Sequence, residues 1–432
     1  MSDQAWVCGA GGPLHGEVTV PGDKSISHRA IMLAALADGV CRIDGFLESA
    51  DARATEAMFR QMGVHSEAPA PGARIVHGVD LHGLRPPSGP LDCGNSGTAM
   101  RLLAGLLAGQ RFHSRLIGDA SLSRRPMQRV TAPLARMGAR IETANGCPPL
   151  EIHGNNALQS IDYAGEVSSA QVKSAILLAG LYAEGTTRVT EPEPTRDYTE
   201  RMLAAFGWPV EFSPGRAALA GGHRLQATDV VVPADFSSAA FFLVAATLVP
   251  GSRLLLRQVG MNPRRTGLLQ VLRAMGARIE EHAAGEQGGE PVADLLVRHA
   301  PLVGVDVPQE IVADMIDEFP ALFVAAACAT GTTVVRGAAE LRVKESDRIT
   351  VMAQGLRELG VHVEETPDGA VIHGGSLRGG RVHSRADHRV AMAFAVAAQV
   401  SKGPVRVEDV GNVATSFPGF ARLAQEVGFR LG

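Results

Sequence analysis

Apolar and polar positions along this chain follow one plan that recurs six times. In each copy a Ser, Asp or Asn precedes a run of small apolar residues, which is followed by a Gly and then by a β-branched strand. Repetition of one pattern is typical of an architecture built from similar structural units. The chain of 432 residues is therefore predicted to contain six such units. Their closing glycines are Gly39, Gly109, Gly185, Gly251, Gly331 and Gly403.

Each apolar run predicts a buried helix. The Ser, Asp or Asn side chain can accept a hydrogen bond from an N–H group of the first turn. The Gly is expected at the left-handed position that follows the last turn. Because the runs are apolar on nearly every face, these helices should lie inside a domain. A second, amphipathic helix and further strands follow in each copy, so one copy is interpreted as a βαβαββ-type unit of an α/β (α+β) fold.

Length and composition argue against some classes of protein. A chain of 432 residues exceeds a single core, so two domains are expected. A formal net charge of −4 and an aromatic content of 4% argue against nucleic-acid binding. Apolar stretches such as AAFFLVAATLVP are too short to span a bilayer, and the N-terminus does not resemble a signal peptide.

The sequence predicts neither a metal site nor a nucleotide cofactor. The five cysteines have no CxxC spacing, which is typical of reduced thiols in a cytoplasmic protein. No HExxH motif or Cys/His cluster is present, so histidines such as His77 and His82 are interpreted as surface residues. A P-loop and a strand-linked GxGxxG are also missing, so any phosphate should be bound in another way.

Charged and polar side chains recur at the start of the apolar runs. A helix N-terminus carries partial positive charge and free N–H groups, which makes it suitable for an anion. Each such residue alone could simply cap a helix at the surface. Their recurrence at the same point of several repeats favours a shared ligand site. They are Lys24, Arg29, Arg101, Gln171, Lys173, Asp317, Glu318, His388 and Arg389.

One kind of candidate chemistry is anion binding. Lys24, Ser25 and Arg29 share the first turns of one predicted helix, and their ammonium, hydroxyl and guanidinium groups suit a phosphate or carboxylate. Further donors, or glycines that permit close backbone approach, occur in later segments. They are Gly94, Gly97, Arg124, Arg125, Ser168, Ser169, Gln171, Lys173 and Arg196.

The other kind is proton transfer. Two carboxylates among cations, with pKa values separated by their surroundings, are what a proton-moving enzyme needs. Arg348 and Arg389 are candidates for bidentate contacts with anions. The acids and the remaining cation of this part of the chain are Asp314, Asp317, Glu318, Lys344, Glu345 and Asp347.

Seven motifs resemble those of the 5-enolpyruvylshikimate-3-phosphate synthase family. In chain order, between residues 21 and 395, they are PGDKSISHRA, GNSGTAMR, SRRPM, SSAQVKSA, TRDYTE, RVKESDR and ADHRVAMAFA. The resemblance implies a two-domain inverted α/β dome built from six repeated βαβαββ-type units, three per domain. Residues 1–22 plus 234–432 would form domain 1 and residues 23–233 domain 2, with the active site in the cleft between them.

The resemblance also implies an activity. Members transfer the enolpyruvyl group of phosphoenolpyruvate to the 5-hydroxyl of shikimate 3-phosphate and release phosphate, a step of the shikimate pathway of aromatic amino acid biosynthesis and the target of glyphosate. They pass through a tetrahedral intermediate without a metal or organic cofactor. For this chain the expectation is therefore a cytoplasmic, monomeric transferase with two small-molecule substrates, no cofactor, and neither nucleic acid nor membrane as a partner.

Roles for single residues follow from the same resemblance. Asp317 is similar to the base that takes the hydroxyl proton, Glu345 to the acid that protonates the methylene carbon, and Lys24 to a catalytic residue that touches both substrates. The spacing of the family's acid–base pair selects Asp317 over Asp314 and Glu318. The shikimate 3-phosphate site would comprise Lys24, Ser25, Arg29, Ser169, Ala170, Gln171, Arg196, Asp317 and Lys344. The phosphoenolpyruvate site would comprise Lys24, Gly97, Arg125, Gln171, Arg348 and Arg389.

Some positions depart from patterns found in the family. Thr415 stands where some members have Lys, and Glu340 where some have Asn. Tyr198 stands where the class that is often tolerant of glyphosate has His, and Gly97 where the best-known form of that class has Ala. The assignment to a class is therefore mixed.

Two alternatives remain open at the level of sequence. UDP-N-acetylglucosamine enolpyruvyl transferase resembles the same fold, but it has Asn where this chain has Ser25, and usually a catalytic Cys where this chain reads DASLSRRPM. A non-catalytic binder of phosphorylated metabolites would need Asp317 or Glu345 replaced, and both are present. Phosphate release with defined substrates separates these three functions.

Overall fold

The computed structural model describes residues 4–154 and 157–432 as a mixed α/β chain of short helices and small sheets. The helices are α1 Lys24–Leu36, α2 Ala50–Gln61, α3 Gly97–Ala108, α4 Gln128–Arg136, α5 Ala170–Gly180, α6 Tyr198–Ala205, α7 Phe236–Leu248, α8 Gly267–Ala274, α9 Phe319–Ala327, α10 Arg348–Glu358, α11 His388–Ala398 and α12 Phe420–Glu426. Short 3-10 helices lie at Leu122–Arg124, Gln309–Ile311, Ala313–Met315, Ala339–Val343 and Val410–Thr415. None of the helices in this part of the chain is long and apolar enough to cross a membrane.

Most strands are short. They are β1 Ala5–Gly9, β2 His15–Val18, β3 Ala37–Asp38, β4 Val40–Asp44, β5 His65–Glu67, β6 Ala73–His77, β7 Leu91–Asp92, β8 His113–Ile117, β9 Arg140–Ala144, β10 Cys147–His153, β11 Asp162–Ala164, β12 Thr186–Thr190, β13 Val210–Ser213, β14 Arg216–Ala220, β15 Leu225–Gln226 and β16 Val230–Val231. The others are β17 Arg253–Gly260, β18 Arg278–Gln287, β19 Glu290–Arg298, β20 Thr332–Val335, β21 His362–Thr366, β22 Gly369–His373, β23 Gly380–His383, β24 Val405–Glu408 and β25 Arg430–Leu431.

The chain divides into two compact units, each with a hydrophobic core of its own. The terminal unit comprises Met1–Pro21, Pro233–Glu286 and Pro291–Gly432, and the middle unit comprises Gly22–Val232 and Gln287–Glu290. The division expected from the sequence differs by one residue at each crossing, Gly22 and Pro233, and it placed Gln287–Glu290 in domain 1. This segment belongs to the middle unit, where the fully buried Glu290 carboxylate lies 3.8 Å from Arg201 Nε.

One strand order recurs in the sheets. In the middle unit the orders are β16-β4-β6-β5, β7-β8-β10-β9 and β11-β12-β14-β13, and in each the first pair is parallel and the others are antiparallel. The terminal unit has the orders β2-β17-β19-β18, β23-β24-β1-β25 and β20-β22-β21. In the first two of these the leading pair is again parallel. The third sheet of the middle unit follows the chain order β-α-β-α-β-β, and the second does so with the 3-10 helix Leu122–Arg124 inserted before its second α-helix.

Side-chain caps begin five of the six buried helices. Asp23, Ser96, Ser169, Asp235 and Asp387 each accept a hydrogen bond from a backbone N–H in the first turn of α1, α3, α5, α7 and α11. The exception is α9, which follows Glu318 in helical conformation without a side-chain cap. The carboxylate of the preceding Asp317 is therefore available for other contacts.

The closing glycines do not occupy the predicted position after the helix. Helix α5 ends at Gly180, whereas Gly185 adopts its positive φ of 88° in the turn before β12. Gly109 is the C-cap of α3 with φ −86°, which is right-handed. The predicted left-handed conformation does occur at Gly39, Gly185, Gly251 and Gly331, but the predicted C′ position was wrong because these four glycines lie in the turn into the next strand.

The middle unit depends on close packing of α3 against α5. A Cβ added at Gly105 of α3 would lie 2.0 Å from the carbonyl oxygen of Ala175 in α5. The two helix backbones therefore approach each other at a point where only a glycine fits.

We expect Gly105→Ala to lower the free energy of unfolding of the chain by about 1–3 kcal/mol, because the added methyl group forces the two helices apart. Urea unfolding followed by circular dichroism measures the effect. Gly375→Ala is the control, since a Cβ at Gly375 would meet no atom within 4 Å. Equal stability of the two variants would contradict this account of the packing.

Candidate active site

In the middle unit, Arg29 is nearly fully buried on α1 and held from three sides. Its guanidinium donates to Thr199 Oγ1 at 2.7 Å, to Ser174 Oγ at 2.9 Å and to the carbonyl oxygen of Ser25 at 2.9 Å. Burial lowers the pKa of Arg29 to about 10, although nearby acidic groups oppose this shift. Arg29 therefore remains a cation at neutral pH with a fixed orientation.

Tyr198 supports the same helix start. Its hydroxyl donates to Asp23 Oδ2 at 3.2 Å, and Asp23 Oδ1 accepts from the N–H of Ile26 in the first turn of α1. The guanidinium carbon of Arg29 lies 5.9 Å from the centre of the Tyr198 ring. The Tyr at this position thus links the cap of α1 to its buried cation.

Two further predicted cations lie near this helix start. Lys24 is the first residue of α1, and its Nζ forms a salt bridge with the buried Asp51. Arg196 precedes α6, and its charge is close enough to lower the pKa of Arg29. Lys24, Ser25, Arg29 and Arg196 are therefore neighbours, as a common anion site requires.

Gly97 begins α3 beside two arginines. A Cβ added there would lie 2.8 Å from a terminal nitrogen of Arg101 and 3.3 Å from one of Arg125. Arg125 in turn donates to Asn95 Oδ1 at 2.9 Å and to Ser121 Oγ at 3.2 Å. The absence of a side chain at Gly97 leaves room next to both guanidinium groups.

Gln171 links the starts of α3 and α5. Its amide oxygen accepts from Arg101 at 2.7 Å, and its amide nitrogen donates to Thr98 Oγ1 at 2.9 Å. Ser169 caps α5, and Ala170 is the first residue of this helix. The predicted donors Ser169, Ala170 and Gln171 therefore lie at one helix N-terminus, next to the start of α3.

Lys173 does not belong to the ligand-facing set that the sequence suggested. It is 3% exposed, and its Nζ lies 2.9 Å from Glu191 Oε2 and 2.9 Å from Glu200 Oε1. Burial alone lowers the pKa of Lys173, but the two carboxylates outweigh this effect and raise it. This prediction was wrong because Lys173 points into the protein and forms a buried ion pair network.

In the terminal unit, three arginines converge on Asp317. Arg265 donates to Asp317 Oδ2 at 3.1 Å, and Arg348 donates to Oδ1 at 3.3 Å. Arg389, near the N-terminus of α11, donates to the backbone oxygen of Asp317 at 3.2 Å. Two guanidinium groups thus hold the carboxylate, and a third holds the peptide next to it.

Arg348 donates hydrogen bonds to both acids of the predicted proton-transfer pair. Besides Asp317 it donates to Glu345 Oε2 at 2.6 Å and to Asp387 Oδ2 at 2.8 Å. It is only 2% exposed, and burial alone lowers its pKa. The carboxylates of Asp387, Glu345 and Asp317 outweigh burial, so the pKa of Arg348 is raised and the guanidinium stays charged.

The side chain of Asp317 is more exposed to solvent than those of the other two acids of its segment. The carboxylate of Glu318 is fully buried and accepts a hydrogen bond from Ser237 Oγ. The side chain of Asp314 is 4% exposed and lies 3.3 Å from Arg264. The side chain of Asp317 is 16% exposed. Of the three, Asp317 is the acid that a ligand can reach most easily.

Lys344 lies close to the same carboxylates. Its Nζ is 3.8 Å from Glu340 Oε1, the acid that occupies the place of an Asn in some relatives. Burial lowers the pKa of Lys344, Asp317 and Glu340 oppose the shift, and Arg348 adds to it, with a net decrease. Lys344 therefore loses its proton more readily than an ordinary lysine.

Sequence reasoning missed Arg265. This residue is 4% exposed and lies 3.4 Å from Asp235 and 3.8 Å from Glu318, in addition to its contact with Asp317. A signal was present, since the pair Arg264–Arg265 precedes α8 as the pair Arg124–Arg125 precedes α4. The repeat itself therefore pointed to a second arginine pair at a helix start.

Thr415, where some members of the resembling family have Lys, makes a local contact. It ends the 3-10 helix Val410–Thr415, and its hydroxyl donates to the carbonyl oxygen of Asn412 at 2.6 Å. The hydroxyl thus bonds within its own turn. Because Thr is neutral, this position contributes no positive charge.

Comparison with known proteins shows the family. The family model described as EPSP synthase (3-phosphoshikimate 1-carboxyvinyltransferase) matches residues 9–423. This chain belongs to the EPSP synthase family. A 3-phosphoshikimate 1-carboxyvinyltransferase of Xanthomonas campestris is 66% identical over 431 residues, which cover 100% of this chain and 98% of that protein. The resemblance inferred from seven motifs is thereby confirmed.

Solved structures support the same family and the α/β fold class. The EPSP synthase of Acinetobacter baumannii matches with a TM-score of 0.90 and 49% identity, covering 99% of each chain. The enolpyruvyl transferase NikO of Streptomyces tendae matches with a TM-score of 0.81 over 99% of this chain and 98% of the other. Its identity of 18% shows a shared fold only.

We expect Arg265→Met to lower the free energy of unfolding by about 3–5 kcal/mol, because it leaves Glu318 and Asp317 without this buried cation. Urea unfolding measures the effect. The control is Arg422→Met, which breaks an exposed pair with Glu426 and should cost less than about 1 kcal/mol. A small effect of Arg265→Met would show that the carboxylates do not depend on this cation.

Proposed function

We propose that this chain transfers the enolpyruvyl group of phosphoenolpyruvate to the 5-hydroxyl of shikimate 3-phosphate and releases phosphate. The observation that carries the proposal is that Asp317 and Glu345, two carboxylates of the predicted acid–base pair, both contact the buried guanidinium of Arg348. One cation thereby fixes a possible base and a possible acid with respect to each other, which addition across a double bond requires.

The proposed reaction has two stages. In the addition, the 5-hydroxyl oxygen bonds to C2 of phosphoenolpyruvate while Asp317 accepts the hydroxyl proton and Glu345 donates a proton to the methylene carbon C3. In the elimination, C3 loses a proton to the Glu345 carboxylate and the C–O bond to phosphate breaks. Proton acceptance and donation by positioned carboxylates contribute typically about 10²–10⁴-fold to a rate.

Substrate binding is proposed to use the helix starts described above, because both substrates are polyanions. Free N–H groups, lysines and arginines at these positions favour phosphate and carboxylate groups. Shikimate 3-phosphate is assigned to Lys24, Ser25, Arg29, Ser169, Ala170, Gln171, Arg196, Asp317 and Lys344. Phosphoenolpyruvate is assigned to Lys24, Gly97, Arg125, Gln171, Arg348 and Arg389.

A substrate anion at Arg348 would compete with the carboxylates that this guanidinium already contacts. All of its nitrogens already donate to Asp317, Glu345 or Asp387. Glu345 is the most exposed of these acids at 21%, against 16% for Asp317 and 0% for Asp387. We infer that the phosphoenolpyruvate carboxylate replaces Glu345 at Arg348, which frees Glu345 to act on the methylene carbon.

Two properties of the proposed enzyme remain expectations. We expect a monomer. We expect a cytoplasmic location, and the free cysteines among the described residues suit a reducing compartment. Light scattering of the purified chain tests the first expectation, and fractionation of cells tests the second.

Phosphate release distinguishes the proposed reaction from its alternatives. The chain should release phosphate from phosphoenolpyruvate when shikimate 3-phosphate is present, and not when UDP-N-acetylglucosamine is present instead. Release with the nucleotide sugar would favour the alternative transferase. Calorimetric binding of both substrates without release would favour a non-catalytic binder.

We expect Asp317→Asn and Glu345→Gln each to lower kcat about 10²–10⁴-fold, because both changes keep the shape of the side chain and remove its proton transfer. Steady-state phosphate release measures kcat. Glu426→Gln is the control, since Glu426 is exposed on α12. Near-normal turnover of either variant would overturn the role given to that residue.

We expect Gly97→Ala to weaken glyphosate more than phosphoenolpyruvate. The new methyl group would lie 2.8 Å from Arg101 and 3.3 Å from Arg125 of the proposed phosphoenolpyruvate site, and it should crowd the longer inhibitor more than the shorter substrate. Overpacking costs about 1–3 kcal/mol, which corresponds to about ten- to hundredfold in affinity. The measurement is the glyphosate inhibition constant divided by the KM of phosphoenolpyruvate, and an unchanged ratio would remove Gly97 from the site.

A further inference from the structure

Two histidines face each other across the hairpin of β21 and β22. His362 pairs directly with His373 in the antiparallel register, so both side chains lie on the same face. Their rings stack with centroids 4.8 Å apart and planes 26° from parallel. The backbone register thus holds two imidazoles side by side.

A carboxylate completes this cluster. Glu364 lies two residues after His362 on the same strand and therefore on the same face. Its Oε1 is 3.1 Å from Nε2 of His362 and 3.3 Å from Nε2 of His373. Three potential ligand atoms, one from each residue, lie within 4.8 Å of one another.

The same arrangement occurs on the hairpin of β5 and β6 in the other unit. His65 pairs with His77, and Glu67 follows His65 by two residues. Glu67 Oε1 is 3.2 Å from Nε2 of His65 and 3.4 Å from Nε2 of His77. Both clusters thus place one carboxylate oxygen against two imidazole nitrogens.

The nitrogen–oxygen distances match those between neighbouring ligands of one transition-metal ion. Zinc binds imidazole nitrogen at about 2.0–2.1 Å and carboxylate oxygen at about 2.0–2.2 Å, so neighbouring ligands of a tetrahedral ion lie about 3.4 Å apart. The four nitrogen–oxygen distances in these clusters lie between 3.1 and 3.4 Å. Imidazole with carboxylate is a donor set that suits Zn²⁺, Cu²⁺ and Ni²⁺.

We propose that the clusters His362–Glu364–His373 and His65–Glu67–His77 each bind one divalent transition-metal ion. Each ion would have three protein ligands and one position open to water. Since the ligands come from both strands of a hairpin, the ion joins these strands. Sequence analysis missed both clusters because register, rather than sequence spacing, brings the second histidine to the first.

A third pair of histidines lacks this convergence and serves as an internal control. His113 of β8 pairs directly with His153 of β10. Nε2 of His113 lies 3.2 Å from Glu151, whereas Nε2 of His153 lies 3.2 Å from a different acid, Glu142. The two imidazoles therefore point to separate carboxylates, and no shared ion is expected here.

The experiment measures Zn²⁺ bound to the untagged, chelator-treated chain by equilibrium dialysis with metal analysis. We expect two ions per chain, one ion for His373→Gln, one for His77→Gln and none for the double variant. His153→Gln should keep both ions. The same dialysis with Mg²⁺ should show no binding at these sites, because Mg²⁺ prefers oxygen ligands.

The alternative is that both clusters are ordinary hydrogen-bonded surface groups. Absence of bound Zn²⁺, or the same loss in His153→Gln as in His373→Gln, would overturn the proposal. Binding of one ion that only one of the two variants removes would overturn it for the other hairpin. Circular dichroism of each variant shows that the fold is intact, which is expected since the substituted side chains are 37–42% exposed.

Discussion

The charge balance around Arg348 is the constraint on which the candidate chemistry of the terminal unit depends. A nearly fully buried guanidinium is costly unless carboxylates compensate it, and Arg348 has three such partners. Asp387 is fully buried and also caps α11, so one partner is structural. Asp317 and Glu345 are partly exposed, and in the proposed reaction a substrate takes the place of one of them. The same interaction thus compensates a buried charge and fixes the two proposed reactive carboxylates with respect to each other.

Repetition explains why so many polar groups lie at equivalent points. Five of the six buried helices begin with a side-chain cap, and polar residues precede the amphipathic helices. Arg125, Arg196 and Arg265 all lie just before a second helix, and Arg348 begins one. Free N–H groups occur at the N-terminus of every helix. Several repeats can therefore bind an anion in the same way, at a helix N-terminus. The repeats differ in the side chains that stand at these helix starts. At α9, for example, no side chain caps the helix, so the Asp317 carboxylate can contact other groups.

Much of the fold and of the candidate site could be predicted from the sequence. The apolar runs predicted buried helices, and the structure places buried helices at all six of them. A Ser or Asp side chain caps five of these helices, as the pattern predicted, whereas α9 has no side-chain cap. The glycine positions were misjudged because φ depends on the turn that a residue enters and not on the pattern alone. The assignment of individual roles to Asp317, Glu345 and the other site residues stays a prediction.

The sequence by itself determined which segments form helices and strands, because periodicity and capping act over a few neighbouring residues. It also determined the family, because the motifs are short and occur in a characteristic order. Only the tertiary structure decided which charges meet. Lys173 and Arg348 both lie near helix starts, yet one enters a buried ion pair network and the other contacts both candidate catalytic acids. Partners of this kind, like the histidines paired across a hairpin, come from distant parts of the chain, and their contacts depend on packing and register.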